Sequence, residues 1–79
     1  MACEDLVAAC FLDDAAPLTV PQLNRERALN YLACCYAQGL SWADAELQIR
    51  ACLQDKGVPP EGILRQLKLA RPLLQPWLD

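Results

Sequence analysis

The stretch Gln38-Gly39-Leu40-Ser41-Trp42-Ala43-Asp44 ends one helix and begins another with almost nothing between them. Gly39 has no Cβ, so it enters the left-handed conformation that closes a helix at little cost. Two residues later, Ser41 can accept from the free backbone N–H groups of a new first turn. Asp44 stands where the reciprocal partner of a capping box reaches back, a place more often held by Glu or Gln. The chain therefore reverses here into an antiparallel helical hairpin, and an all-α architecture follows.

Outward from that joint, the apolar spacing predicts four helices. The first covers 3–12, where Cys3, Leu6, Val7, Cys10 and Phe11 recur at i, i+3, i+4, i+7 and i+8. Glu4 and Asp5 suit the positive end of its dipole. Residues 13–19 read as a connector, with Pro17 holding Ala16 extended. The second helix covers 20–38, capped by Thr19 or Val20 with Pro21 in its first turn. Its inward face is expected to be Ala28, Leu29, Leu32, Cys35 and Tyr36. Leu23, Arg27, Asn30, Tyr31, Cys34 and Gln38 fall on the other side, so Cys35 points in and Cys34 out. The third covers 42–56 and carries Trp42, Ala45, Ile49, Cys52 and Leu53 on one face. A second stripe of Ala43, Leu47 and Ala51 lies roughly opposite. Gly57 closes it. The fourth covers 60–71, with Ile63, Leu64, Leu67 and Ala70 inward, Leu69 outward, and Pro72 expected to stop or kink it. The tail Leu73-Leu74-Gln75-Pro76-Trp77-Leu78 is too apolar to stand free in water. A small compact bundle of four helices, one domain over 1–79 with an apolar C-terminal tail, is the expected fold.

Composition supports that reading. Of 79 residues, 54% are hydrophobic, and only five of them are aromatic (two Trp, two Tyr, one Phe). Leu and Ala dominate, the residues that lose least on entering a helix. A net charge of −3 disfavours a nucleic-acid binder that works by neutralising phosphates. No apolar run reaches membrane-spanning length. The start Met1-Ala2-Cys3-Glu4-Asp5 carries acid where a secretory signal carries base, which predicts a cytoplasmic address and no membrane partner. The five cysteines include no CxxC pair, and there is no His. Reduced, structural thiols are expected, with no metal and no cofactor.

Catalysis needs a nucleophile, a base and a group to orient them. Without His, the remaining candidate nucleophile is Cys34, near Arg27, Tyr31 and Gln38. The carboxylates Asp44, Glu46, Asp55 and Glu61 sit near helix ends or on polar faces, where capping and solubility account for them. No glycine-rich phosphate loop is present. The sequence predicts a protein that is not an enzyme.

The joint carries three family resemblances. Leu32-Ala33, Tyr36, Gly39, Ala45, Ile49, Cys52 and Leu53 resemble one tetratricopeptide-type hairpin, which would imply a peptide- or helix-binding surface. Gly39-Leu40-Ser41, Ala45, Ile49 and Arg50 resemble the central segment of the ANTAR family of RNA-binding antiterminators. The family's small and basic run in the preceding helix is replaced here by Asn30-Tyr31-Leu32-Ala33-Cys34-Cys35. The chain also resembles acyl carrier protein in length, acidity and helix number, with Ser41 opening a helix near mid-chain. Leu40-Ser41-Trp42 stands where that family has Asp-Ser-Leu.

The function expected from the residues themselves is a non-enzymatic protein–protein interaction module: an adaptor, a chaperone-like binder or an inhibitor of a larger protein. Apolar side chains left over by the core stripes would do the binding. They are Tyr31, Cys34, Leu47, Leu69, Leu73, Leu74, Trp77 and Leu78. The partner is another protein or a second copy forming a homodimer. The alternatives are an antiterminator-like RNA-binding regulator and an acyl-carrier-like domain.

Overall fold

In a computed structural model that describes residues 3–12 and 22–78, the Gly39–Ser41 joint is built as the sequence predicts. The elements are α1 (Cys3–Cys10), β1 (Phe11–Leu12), β2 (Gln22–Leu23), α2 (Arg25–Gln38), α3 (Trp42–Asp55) and α4 (Pro60–Leu78). Gly39 has φ 70°, its N–H donates to the Tyr36 carbonyl, and the Leu40 N–H donates to the Cys35 carbonyl. Those paired bonds make a Schellman closure. Gly57, at φ 80°, closes α3 the same way through Gln54 and Leu53. Ser41 and Asp44 form the full capping box: the Asp44 N–H donates to Ser41 Oγ at 3.2 Å, and the Ser41 N–H to Asp44 Oδ2 at 3.1 Å.

Two substitutions check this joint. Ser41→Ala should cost about 1 kcal/mol through lost capping. A Cβ at Gly39 would meet nothing within 4 Å, so Gly39→Ala should cost about 1–2 kcal/mol from its positive φ alone. Urea denaturation reads both, and losses near zero would show the joint to be unimportant.

Four boundaries differ from expectation, three of them modestly. Helix α1 stops at Cys10 instead of Leu12, because Phe11–Leu12 leave the helix to pair antiparallel with Gln22–Leu23. The freed Cys10 carbonyl accepts from the Asn24 N–H at 2.7 Å. Helix α2 begins at Arg25 instead of 20, since Asn24 is its N-cap and accepts from the Arg27 N–H at 3.0 Å. The connector 13–19, the expected cap at Thr19 or Val20 and the first-turn Pro21 lie outside the described residues. Helix α3 ends one residue early, with Lys56 as its cap.

The largest difference is in α4, which runs through Pro72 and Pro76 to Leu78. Each proline removes one helical N–H donor, and an interior proline costs about 3 kcal/mol. Burial supplies the offset. Leu74 is buried, and Leu73 and Leu78 pack against the core. Each Leu buried stabilises by about 1.5–3 kcal/mol. The tail is therefore core, continuous with the fourth helix.

Helices α1 and α4 each lie against both α2 and α3. The two arms of the central hairpin therefore face one another across the core instead of touching along their length. Tyr31, 1% exposed, fills the gap, and its hydroxyl donates to Gln48 Oε1 on α3. This corrects the placing of Tyr31 on the outer side of α2. The inward direction centres on Ala28, Tyr31 and Cys35, and Tyr36 is 70% exposed. Of the expected α3 stripe, Trp42, Ala45, Ile49 and Leu53 are buried and Cys52 is half-buried against them. On α4, Ile63, Leu67, Ala70 and Leu74 are buried but Leu64 is exposed. Gln66, a polar residue in the core, accepts from the Leu23 N–H at 3.2 Å and so satisfies a strand donor.

Candidate functional site

The cysteines come first, because the chemistry expected of them changes. Cys3 and Cys34 form a disulfide, with Cα atoms 5.7 Å apart. That corrects the expectation of reduced thiols for this pair, and it explains why Cys34 points away from the core centre: it faces α1. The spacing signal was too weak to show it, because 31 residues separate the two. The candidate nucleophile is thus already bonded.

Cys10, Cys35 and Cys52 remain free thiols. Burial pushes the Cys10 thiol up to about 11, and the neighbouring Cys52 and Cys35 add to the shift against a smaller opposing pull from Arg27. Its sulfur lies 3.2 Å from the Leu6 carbonyl and 3.3 Å from that of Arg27, both acceptors for its proton. Burial also raises Cys35, Cys52 and the Tyr31 phenol. A reactive cysteine needs the opposite shift. Among the described residues, no group of three or more His, Cys, Asp or Glu is arranged to hold a metal ion.

These shifts set a pH dependence. A thiol that ionises at 9.0 when unfolded and at about 11 when folded favours the unfolded state only in alkali. Its contribution to stability is constant below about pH 9 and declines as pH rises from there towards 11. Tyr31, raised from 10.0, adds to the same decline. Chemical denaturation followed between neutral and strongly alkaline pH should show a midpoint that falls only above about pH 9. Iodoacetamide near neutral pH should leave Cys10 and Cys35 unmodified in the native chain, and alkylation of both would show an open core.

The surface carries what remains. Of the eight residues expected to bind a partner, Tyr31 and Leu74 are buried, Cys34 is disulfide-bonded, and Leu73 and Leu78 are half-buried against the core. Leu47, Leu69 and Trp77 stand in solvent, with Trp77 66% exposed. The sequence reading missed Leu29, Tyr36 and Leu64, which also stand exposed. Their helical pattern looked like core, and only the burial of Tyr31 sets the rotation of α2.

These side chains have an order. On α2, Cys34 marks the side facing α1, so Leu29 and Tyr36, more than 90° around from it, flank α4. On α4, Gln66 bonds Leu23 of β2, one residue before the Asn24 cap of α2, and Leu69, Leu73 and Trp77 recur from it at helical spacing. The α2–α4 seam is thus bordered from both helices by apolar side chains. On the opposite flank of α4, a groove against α3 is lined by Glu46, Arg50, Leu64, Leu67, Lys68 and Arg71. Arg50 is paired to Glu46 at 3.1 Å, and Arg71 lies over the Trp42 ring at 6.0 Å.

The chain matches no family model, no curated protein and no solved structure. The resemblances at the joint therefore stand on local residues. In the structure Ser41 Oγ is engaged with Asp44, at 3.0 Å from Oδ2 as well as in the cap. Arg50 is held by a carboxylate.

Proposed function

We propose that this chain is a non-enzymatic protein–protein interaction module that takes a partner along the α2–α4 seam. The observation carrying this reading is the row of exposed apolar side chains there: Leu29 and Tyr36 from α2, Leu69 and Trp77 from α4. Aromatic anchors at the centre of an interface supply much of its affinity. A bundle with so small a core would not leave Trp77 and Tyr36 in water for the sake of stability. The raised thiol pKa values and the bonded Cys34 give no support to catalysis.

No helix among the described residues is long and apolar enough to cross a membrane. A cytoplasmic address belongs to the proposal on one condition, that Cys3–Cys34 is formed by exchange with a small-molecule disulfide, which is reduced to two thiols, and broken again by cellular thiols. A bond that persists fits an oxidising compartment.

The test compares the native chain with the double variant Leu69→Asp, Trp77→Ser, immobilised and exposed to extract from the source cells. Circular dichroism first confirms that the variant is folded. A protein retained by the native chain, cross-linked through the seam and lost from the variant is the expected result. Equal retention by both would exclude the seam.

A further inference from the structure

The outer face of α3 lies away from that seam and has a charge pattern of its own. Ala43, Leu47 and Ala51 point outward, with Leu47 65% exposed. A groove against α1 runs along one side of them, lined by Glu4, Ala8, Leu47, Ala51, Cys52 and Asp55 together with Gln48. The charged groups that line it are two carboxylates, Glu4 and Asp55, with the Lys56 ammonium close to Cys52 at one end. The groove against α4 runs along the other side, where Arg50, Lys68 and Arg71 outnumber the single carboxylate Glu46 by two. Leu47 therefore sits between an acidic flank, net about −1 with Lys56 counted, and a basic flank of about +2, on a chain whose net charge is −3.

We infer that this face pairs with a second copy of the same chain, about a two-fold axis parallel to α3. Such a rotation lays Leu47 on the partner's Leu47 and exchanges the flanks. The acidic groove of each chain then meets the basic groove of the other, twice per dimer. A two-fold axis across α3 instead would set acid on acid and base on base. The charge pattern thus selects both the occupant and its orientation, since the complementary surface is carried by the chain itself.

The size of the face sets the strength. A helix of 14 residues is about 21 Å long at 1.5 Å per residue, and three adjacent helices span about 30 Å. That gives roughly 600 Å² per chain, the low end for a specific interface. A weak, salt-sensitive dimer, populated at micromolar concentrations and above, is the form expected.

The experiment is sedimentation of the native chain from micromolar to submillimolar concentration, at low and high salt. Dimer formation that grows with concentration and weakens with salt is expected. Leu47→Asp should remain monomeric with an unchanged helical spectrum and melting curve. Two charge-reversed variants sharpen the test: Glu4→Lys with Asp55→Lys, and Lys68→Glu with Arg71→Glu. Each alone should be monomeric, because both flanks then carry one sign. Mixed in equal amounts they should form a one-to-one heterodimer. A native chain that stays monomeric throughout, or a mixture that fails to associate, overturns the pairing. Either result leaves the α2–α4 seam reading intact, since that surface is elsewhere and its test needs no second copy.

Discussion

Replacing Tyr31 with alanine is expected to unfold the chain, or nearly so, at room temperature. Tyr31 is 1% exposed and occupies the space between the two arms of the central hairpin. Truncating a buried aromatic to alanine costs about 3–5 kcal/mol. A domain this small holds roughly 3–5 kcal/mol of stability from its core alone. The loss is therefore comparable with the whole. Tyr31→Phe isolates the hydroxyl: it leaves the ring and removes the hydrogen bond to Gln48, so about 1 kcal/mol is expected. Urea denaturation of both variants measures the difference. An alanine variant that loses less than the phenylalanine variant would show that the arms pack without Tyr31 between them.

Reduction of Cys3–Cys34 is the second large effect. The bond closes a loop between residues 31 apart, and the chain-entropy relation then gives about 3–4 kcal/mol. Helix α1 has eight residues, too few to be helical in isolation. It is held by the disulfide and by the burial of Cys3, Val7 and Cys10. In a reducing phosphine the melting temperature should fall by roughly 12–32 °C. Amide exchange should rise first in α1, before α3 and α4 respond. Cys34→Ser should reproduce the shift without reductant, whereas Cys52→Ser should not. A melting curve indifferent to reductant would contradict the pairing of these two cysteines.

The parts of the fold written in local rules were legible in the residues. Gly39, Ser41 and Asp44 specify a closure and a cap within one turn of chain, and both are present. The same is true of Gly57 and of the α3 stripe from Trp42 to Leu53. What escaped was set by distant partners. Asn24 caps α2 because its N–H reaches Cys10 across the β1–β2 pair. The α4 helix passes Pro72 because Leu74 finds a place in the core, and no local rule about proline contains that burial. The face of α2 was rotated because Leu29 and Tyr36 are as apolar as any core residue. The burial of Tyr31 between the arms decides which side is inside. The binding candidates divide on the same line: Leu47, Leu69 and Trp77 were visible as surplus apolar residues, while Tyr31 and Leu74 proved to be structural.

The continuation of α4 places Leu74 in the core and Trp77 in solvent, and the proposed binding seam depends on that division. Trp42 is 5% exposed and Trp77 66%, so the two tryptophans report on it directly. Iodide quenching of the native chain should reveal one accessible, red-shifted emission and one protected, blue-shifted emission. In Trp77→Phe only the protected component should remain. If the native chain shows both tryptophans protected, Trp77 is covered within the molecule itself, and the seam is no longer open to a partner.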